Sequence, residues 1–348
     1  MSRTTRISMV LLAFTMLATR GFVRAEDPVD KPSELPAYTY PWAEGIGVCN
    51  ACCDPCHGGC GGTWTVLAET MFLRRADGGN QPLIVEQTGR VVNAEDLGFN
   101  HQAVPRLTLM YQDCCSCWGF DVGFLGLDRW HTRGQGGGDV SASLVGPGIP
   151  FTSTVTNTTF HVDYGTDLYS AEFNLRHQYH PCVSVLAGFR WIELDDELRG
   201  SQVTPSVQRQ YRLSAANKMY GLQVGADAAL LSQRWYRLDL VSRAGIMANH
   251  IDLDVSSPIT GSIGGLVSSV AADEDQTSFV GELGLRGVAR LCGGLSAYGG
   301  YHLMWLDSVA LAPQQLSSTS LLAPGSASID TTSALFMHGA TVGLEYQF

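Results

Sequence analysis

The chain has 348 residues, of which only 16% are charged, and it carries a formal net charge of −11. A soluble domain usually carries more charge, about 25%, and the acidic balance argues against nucleic acid as a partner, because nucleic acid requires a basic face. With 39 glycines and 12 tyrosines, the composition favours strands that place one face in lipid. Beyond the first 25 residues no run of about 18 apolar residues occurs, so we expect no transmembrane helix.

The first 25 residues predict a signal peptide. Arg3 and Arg6 form a positive n-region, residues 7–18 an apolar h-region, and residues 23–25 a small-residue cleavage site. The apolar run is too short to span a membrane as a helix, so we expect cleavage after Ala25. Residues 26–62 are rich in proline, cysteine and glycine and predict a periplasmic linker segment, and residues 63–348 form the remaining domain.

From residue 63 onward, apolar and polar residues alternate with a period of two, which is typical of barrel strands. Lipid offers no partner for backbone N–H and C=O groups, so a sheet in a membrane must close on itself. The sequence therefore predicts an all-β fold, a closed antiparallel transmembrane β-barrel of about ten strands, with eight or twelve left open. The predicted strands are 64–74, 104–113, 118–130, 167–178, 183–194, 218–231, 236–249, 278–290, 295–306 and 335–348.

The connections alternate between short and long. The four short ones are 114–117, 179–182, 232–235 and 291–294, and the five long ones are 75–103, 131–166, 195–217, 250–277 and 307–334. Short periplasmic turns and long external loops are the outer-membrane pattern, so we expect the protein to lie in the outer membrane, in contact with its lipid.

Tryptophan favours the membrane interface, because its ring is apolar and its N–H stays hydrated. The sequence predicts two aromatic girdles, one periplasmic and one near the long loops. The periplasmic girdle consists of Trp64, Trp118 and Trp235, and the outer girdle of Trp130, Trp191 and Trp305.

The last eight residues alternate as a strand that ends on aromatic residues. Thr341, Gly343, Tyr346 and Phe348 fill the four specified places of a pattern that resembles the C-terminal insertion signal of bacterial outer-membrane barrels. The resemblance implies that the barrel-insertion machinery is a partner. We also expect this strand to pair with 64–74 and close the barrel.

The polar faces of the predicted strands carry similar numbers of both charges. One interpretation is a paired network that fills the barrel, because buried charges are tolerated only when they are paired or hydrated. The other is a narrow aqueous channel with an arginine-rich wall that admits small solutes; the network is favoured. The predicted lumen charges are Glu69, Arg106, Asp121, Glu172, Arg176, Arg190, Asp227, Arg237, Asp239, Arg243, Glu282, Arg286, Arg290 and Glu345.

Ten cysteines lie in the N-terminal segment and at predicted periplasmic turns, where the oxidising compartment favours disulfide bonds. Alternatives are a zinc site formed by Cys52, Cys53, Cys56 and His57, and intermolecular crosslinking. No cofactor and no metal are predicted. The disulfide candidates are Cys49, Cys52, Cys53, Cys56, Cys60, Cys114, Cys115, Cys117, Cys182 and Cys292.

Residues 64–75, the cysteine- and glycine-rich lead-in and the terminal residues 346–348 resemble the putative β-barrel porin family found in planctomycetes, of the porin-7 type. This resemblance implies an outer-membrane barrel and offers no catalytic residues to carry over. We therefore predict a non-enzymatic porin or structural barrel with a narrow, charge-lined lumen.

Two alternatives belong to other functional classes. The first is a surface adhesin that acts through the long loops. The second is an omptin-like protease, for which Asp195, Asp196, His250 and Asp252 near the outer strand ends are the candidate residues.

Overall fold

The computed structural model describes residues 62–76, 80–113, 116–138, 142–148, 151–153, 158–204, 208–257 and 268–348. The predicted signal peptide and almost all of the predicted periplasmic segment lie outside these residues. Among the residues described, no helix is long and apolar enough to cross a membrane.

The described residues are organised almost entirely as strands, with one short helix, α1 (Gln315–Ser318). In chain order the strands are β1 (Gly62–Ala76), β2 (Pro82–Glu86), β3 (Val91–Asn93), β4 (Gln102–Asp113), β5 (Trp118–Gly138), β6 (Ala142–Leu144), β7 (Phe151–Ser153), β8 (Thr158–His180), β9 (Val183–Val203), β10 (Gln208–Ser232), β11 (Tyr236–Ser256), β12 (Ser269–Arg290), β13 (Leu295–Val309), β14 (Thr319–Ser320), β15 (Ser326–Ala327) and β16 (Ser333–Gln347).

Ten of these strands close into an antiparallel barrel in the order β1-β16-β13-β12-β11-β10-β9-β8-β5-β4. The first and last strands pair from Thr65↔Gln347 to Ala76↔Phe336. Beyond that ladder, Trp64 and Phe348 exchange two backbone hydrogen bonds of 3.0 and 2.9 Å. The predicted all-β fold is confirmed, since every predicted strand is present and the barrel closes as expected.

The barrel wall is much taller on one side than on the other. Strands β5 and β8–β12 have 21 to 25 residues, whereas β1, β13 and β16 have 15 and β4 has 12. Pairing between β4 and β5 ends at Arg106↔Leu125, and pairing between β12 and β13 ends at Phe279↔Asp307. We call the parts of β5 and β8–β12 beyond these points the high wall.

The long connections fold against the inner face of the high wall. Two of them form a four-stranded sheet in the order β3-β2-β6-β7, and the connection before β16 forms α1 and the β14–β15 hairpin. Gly134 and Gly136 leave room on β5 for the side chains of Leu97 and Ile84, which a Cβ atom would meet at 2.5 and 2.9 Å.

An apolar core fills the outer half of the barrel, and we call it the outer core. Its side chains come from the high wall, from the inward-folded connections and from β1, β13 and β16. Each fully buried Leu, Ile or Val contributes about 1.5–3 kcal/mol relative to an exposed one. Its members include Leu83, Ile84, Leu97, Phe99, Leu144, Phe160, Val162, Tyr164, Leu194, Leu198, Tyr211, Leu213, Ile251, Leu253, Val255, Leu311, Leu316 and Leu321.

The outward face of the barrel carries a band of exposed apolar side chains. On the final strand, Val342, Leu344, Tyr346 and Phe348 are all exposed, as expected for lipid-facing residues. The other members of this band include Phe72, Phe173, Leu175, Val185, Phe189, Tyr220, Leu222, Val224, Ile246, Phe279, Leu283, Leu285, Tyr301 and Phe336.

Trp130 does not follow the predicted girdle. It is 2% exposed and lies in the outer core, where its Nε1 donates to the carbonyl of Asn100 at 2.8 Å. A β-bulge between Leu127 and Trp130 adds one residue to β5 and turns the indole inward. Of the other five tryptophans in the predicted girdles, Trp118, Trp235 and Trp305 are exposed, and Trp64 and Trp191 are half-buried.

Candidate functional site: the barrel interior

Arg106 is the centre of a charge cluster in the inner half of the barrel. Its Nη2 lies 2.8 Å from Glu172 Oε1 and its Nη1 3.2 Å from Glu282 Oε2, while its Nε lies 3.7 Å from Glu69 Oε1. Arg190 also pairs with Glu282. Five strands therefore contribute to one buried network, and each of its carboxylates has a cationic partner.

A second cluster forms around Asp227. Its two carboxylate oxygens accept from Arg176 at 2.5 Å and from Arg243 at 2.6 Å. Arg176 also donates to Asp121 at 2.9 Å. All of these groups sit on the inward faces of their strands, so they link the barrel wall from β5 to β11.

A third cluster lies nearer the periplasmic turns. Arg237 donates through Nε to Asp239 at 2.8 Å and through Nη2 to Glu345 at 3.0 Å. Arg290 is exposed at the last position of β12, and takes part in none of the ion pairs found among the described residues. It therefore lies outside the network to which the sequence assigned it.

Neutral amides complete the network, and the sequence reasoning missed them because it considered charges alone. Gln223 Nε2 donates to Glu172 and to Asn174, each at 2.7 Å, and Asn174 Nδ2 donates to Asp121 at 2.7 Å. Both amides occupy inward positions of the same alternating pattern, so the pattern itself could have identified them.

Little space remains inside this network. A cavity with about 40 Å³ of room for water lies among its side chains, which corresponds to about three water molecules. Its lining includes Glu69, Arg106, Asp121, Glu172, Arg176, Asp227, Arg243, Arg286 and His302.

A separate buried ion pair lies in the outer core. Arg75 Nη1 is 2.9 Å from Asp196 Oδ1, and both side chains are fully buried. Tyr164 and Thr166 donate to the same carboxylate at 2.8 and 2.6 Å, and the backbone N–H of Ala312 donates to it at 2.8 Å. The sequence did not predict Arg75 inside the barrel, because the predicted first strand ends at residue 74 and Arg75 begins the predicted long connection 75–103.

Asn217 holds the connection between β13 and β16 against the barrel wall. Its Nδ2 donates to the carbonyl of Ala310 at 2.8 Å, and its Oδ1 accepts from the N–H of the same residue at 2.9 Å. Two strands away, on β12, Ser278 donates to the carbonyl of Ser308 at 2.6 Å. We call residues 308–332 the plug segment.

The four candidate protease residues do not come together at one site, although His250 and Asp252 are in contact. Asp196 points inward and is held by Arg75, whereas His250 and Asp252 alternate with the buried inward residues of β11 and face outward. His250 Nδ1 lies 2.7 Å from Asp275 and its Nε2 3.3 Å from Asp252. Because the barrel wall separates Asp196 from the histidine, the predicted constellation is not assembled.

The cysteines are only partly described. Cys117 and Cys182 take part in disulfide bonds, whereas Cys292 is free and exposed, contrary to its predicted place among disulfide candidates. Its turn lies four strands around the ring from each of the other two turns, roughly 20 Å, and a disulfide needs Cα atoms within about 7 Å. Cys114, Cys115 and the five N-terminal cysteines lie outside the described residues.

The alternative zinc site, at Cys52, Cys53, Cys56 and His57, falls on residues that are not described. In the part of the chain that is described, no group of three or more His, Cys, Asp or Glu side chains is arranged to hold a metal ion.

A family model for putative beta barrel porins, type 7, matches residues 148–348, which is more than half of the chain. The chain belongs to this family. Membership in the putative beta barrel porin-7 family agrees with the closed barrel and its apolar outward band, and the protein is an outer-membrane β-barrel. No curated protein matches the chain.

Solved structures of three outer-membrane proteins are distantly similar to this porin-7 barrel. The outer membrane protease OmpT of Escherichia coli is 10% identical, with 82% of this chain and 97% of that chain covered and a TM-score of 0.44. The translocator domain of autotransporter NalP from Neisseria meningitidis is 10% identical, with 81% and 88% covered and a TM-score of 0.35. The toluene transporter TodX of P. putida is 8% identical, with 83% and 90% covered and a TM-score of 0.31.

Proposed function

We propose that this protein is a structural barrel of the outer membrane whose interior does not conduct ions or solutes across the membrane. The observation that carries the proposal is that both halves of the interior are filled. The outer core occupies the half toward the long connections, and in the other half the paired charges surround a cavity with room for about three water molecules.

The charge network supports a filling role rather than a permeation role. In an open channel the arginines and carboxylates would face water, whereas here Arg190, Glu172 and Glu282 are all buried. Paired, hydrogen-bonded charges of this kind fix the relative positions of strands.

The inward folding of the long connections supports a surface adhesin less well than it supports a filled structural barrel. Loops that bind a surface partner would be expected to project from the barrel, but the loop residues Leu97, Leu144 and Leu316 are buried in the outer core. Outer-membrane lipid, at the apolar band, and the barrel-insertion machinery, at the final strand, are the partners that we propose.

Planar-bilayer recording on the refolded full-length chain tests the proposal. We expect no unit conductance steps at any voltage at which an open 16-stranded porin, added to the same bilayer, gives steps. Heat-modifiable migration in detergent gels serves to establish that the protein is folded before recording. Reproducible steps of one size from folded protein would overturn the closed barrel and establish a narrow pore.

A further inference from the structure

The cavity within the charge network contains cationic donors without acceptors. Two of the arginines that line it, Arg243 and Arg286, each have a buried Nε with no hydrogen-bond partner. The side chain of Arg243 is only 7% exposed. A buried donor without an acceptor is costly, and such a group in a native protein calls for a ligand or water that would satisfy it.

Arg286 differs from the other arginines of this cavity because it has no carboxylate partner among the described residues. Asp239 lies opposite Arg286 on β11, and both of its carboxylate oxygens accept from the Nε of Arg237. The guanidinium of Arg286 lies instead 5.5 Å from the ring of Tyr298. Gly284 on the same strand and Gly300 opposite Arg286 carry no side chain that could supply an acceptor to it.

The carboxylates around the cavity are already engaged. Glu172 accepts from Arg106, Asp121 accepts from Arg176, and Asp227 accepts from both Arg176 and Arg243. Glu69 accepts from Tyr298 and Thr341 at 3.1 Å each. The Nε–H of Arg286 is therefore left without an acceptor among the described residues.

We propose that this cavity binds a small carboxylate, of the size of formate, with Arg286 as its main donor. Arginine pairs with carboxylates through two parallel hydrogen bonds, and the cavity has room for about three water-sized groups, the number of heavy atoms in formate. A ligand of this size binds with a dissociation constant no tighter than roughly millimolar.

The test is a titration of the refolded full-length barrel with ¹³C-labelled formate at constant ionic strength, followed by the line width of the formate signal. We expect saturable broadening in the wild type, and loss of that broadening in Arg286→Gln. This variant should fold, since Arg286 contributes to no ion pair among the described residues. The matched control is Arg290→Gln, at the exposed end of the same strand, which should titrate like the wild type.

Chloride at the same concentration separates a carboxylate site from a general anion effect. Competition by chloride that is as strong as competition by unlabelled formate would overturn the carboxylate assignment. Absence of saturable broadening in folded wild-type protein would show that only water occupies the cavity, and equal broadening in Arg286→Gln would remove the assigned donor. Each of these results can be obtained whether or not the barrel conducts ions.

Discussion

Arg106 contacts three carboxylates that come from three other strands, and this makes it the most consequential single side chain of the inner half. The pairs formed by Arg106 are almost fully shielded from solvent, with side-chain exposures of 10% or less. Removing one member of such a group leaves buried charges without compensation, which costs far more than the intact pairs contribute. The network is thus sensitive to single substitutions.

We expect Arg106→Gln to lower the free energy of unfolding by about 3–5 kcal/mol, because Glu69, Glu172 and Glu282 lose their common partner. Equilibrium unfolding of the refolded barrel in urea would measure the change. Arg133→Gln is the control, since the Arg133–Asp163 pair is largely exposed and such pairs contribute little. Similar losses from the two variants would contradict a special role for the interior network.

The inward positions could be predicted from sequence, but their pairings could not. Alternation alone placed Arg106 and Glu172 on inward faces, as the structure has them. Which carboxylate each arginine reaches depends on the stagger between strands, and this is a property of the closed barrel rather than of any one strand. A separate failure, at Trp130, arose because a single inserted residue reversed the alternation of β5.

The strands of the high wall show why the predicted strands were too short. In the lipid-facing part of β10, Leu222 and Val224 point outward, whereas farther along the same strand Tyr211 and Leu213 point inward. The apolar side of the strand thus changes faces where it leaves the membrane. A search for a lipid-facing apolar stripe stops at that change, although the strand continues.

We expect Asn217→Ala to loosen the plug segment, because the substitution removes both hydrogen bonds to Ala310 and leaves that backbone unpartnered at a buried position. Limited proteolysis of the folded barrel should then cut within residues 312–330 faster than in the wild type. The peptide masses identify the cleavage site.

Lys218→Ala provides the control for this experiment. Lys218 is the next residue on β10, and it faces outward to an exposed Asp252. Its removal should leave the cleavage rate unchanged. If both variants were cleaved at the wild-type rate, Asn217 would not hold the plug segment.

The barrel as a whole depends on the seam between β1 and β16, where Trp64 and Phe348 form the final backbone pair. The side chains of Tyr346 and Phe348 stack with ring centroids 5.7 Å apart and remain exposed on the outward face. Stable pairing within the barrel needs only the backbone of these residues, so their exposed rings are free to contact another protein during insertion.

We expect Phe348→Ala to reduce the amount of folded protein recovered from outer membranes of an expressing bacterium, while refolding of the purified chain in detergent is nearly unchanged. Val342→Ala, on the same outward face but away from the terminal aromatic pair, should affect neither measurement. A parallel loss of refolding in Phe348→Ala would show that the residue stabilises the barrel and is not a signal for insertion.

The sequence was most informative about the architecture of the whole barrel. The periodicity predicted the number of barrel strands, their closure and the outer-membrane location. The filling of the outer half could not be predicted, because residues such as Leu97, Leu144 and Leu316 lie in connections without periodicity. Their burial results from contacts with distant strands, which a local pattern does not encode.

The bulge in β5 has a consequence for the tolerance of this strand to substitution. Up to Leu127 the buried side chains are those of odd-numbered residues, and from Trp130 onward they are those of even-numbered residues. Deleting residue 128 or 129 would give the whole strand one uninterrupted alternation. The indole of Trp130 and the surface at Gly134 against which Leu97 packs would then face outward. One additional residue thus determines which side chains in the outer part of β5 face the inward-folded connections.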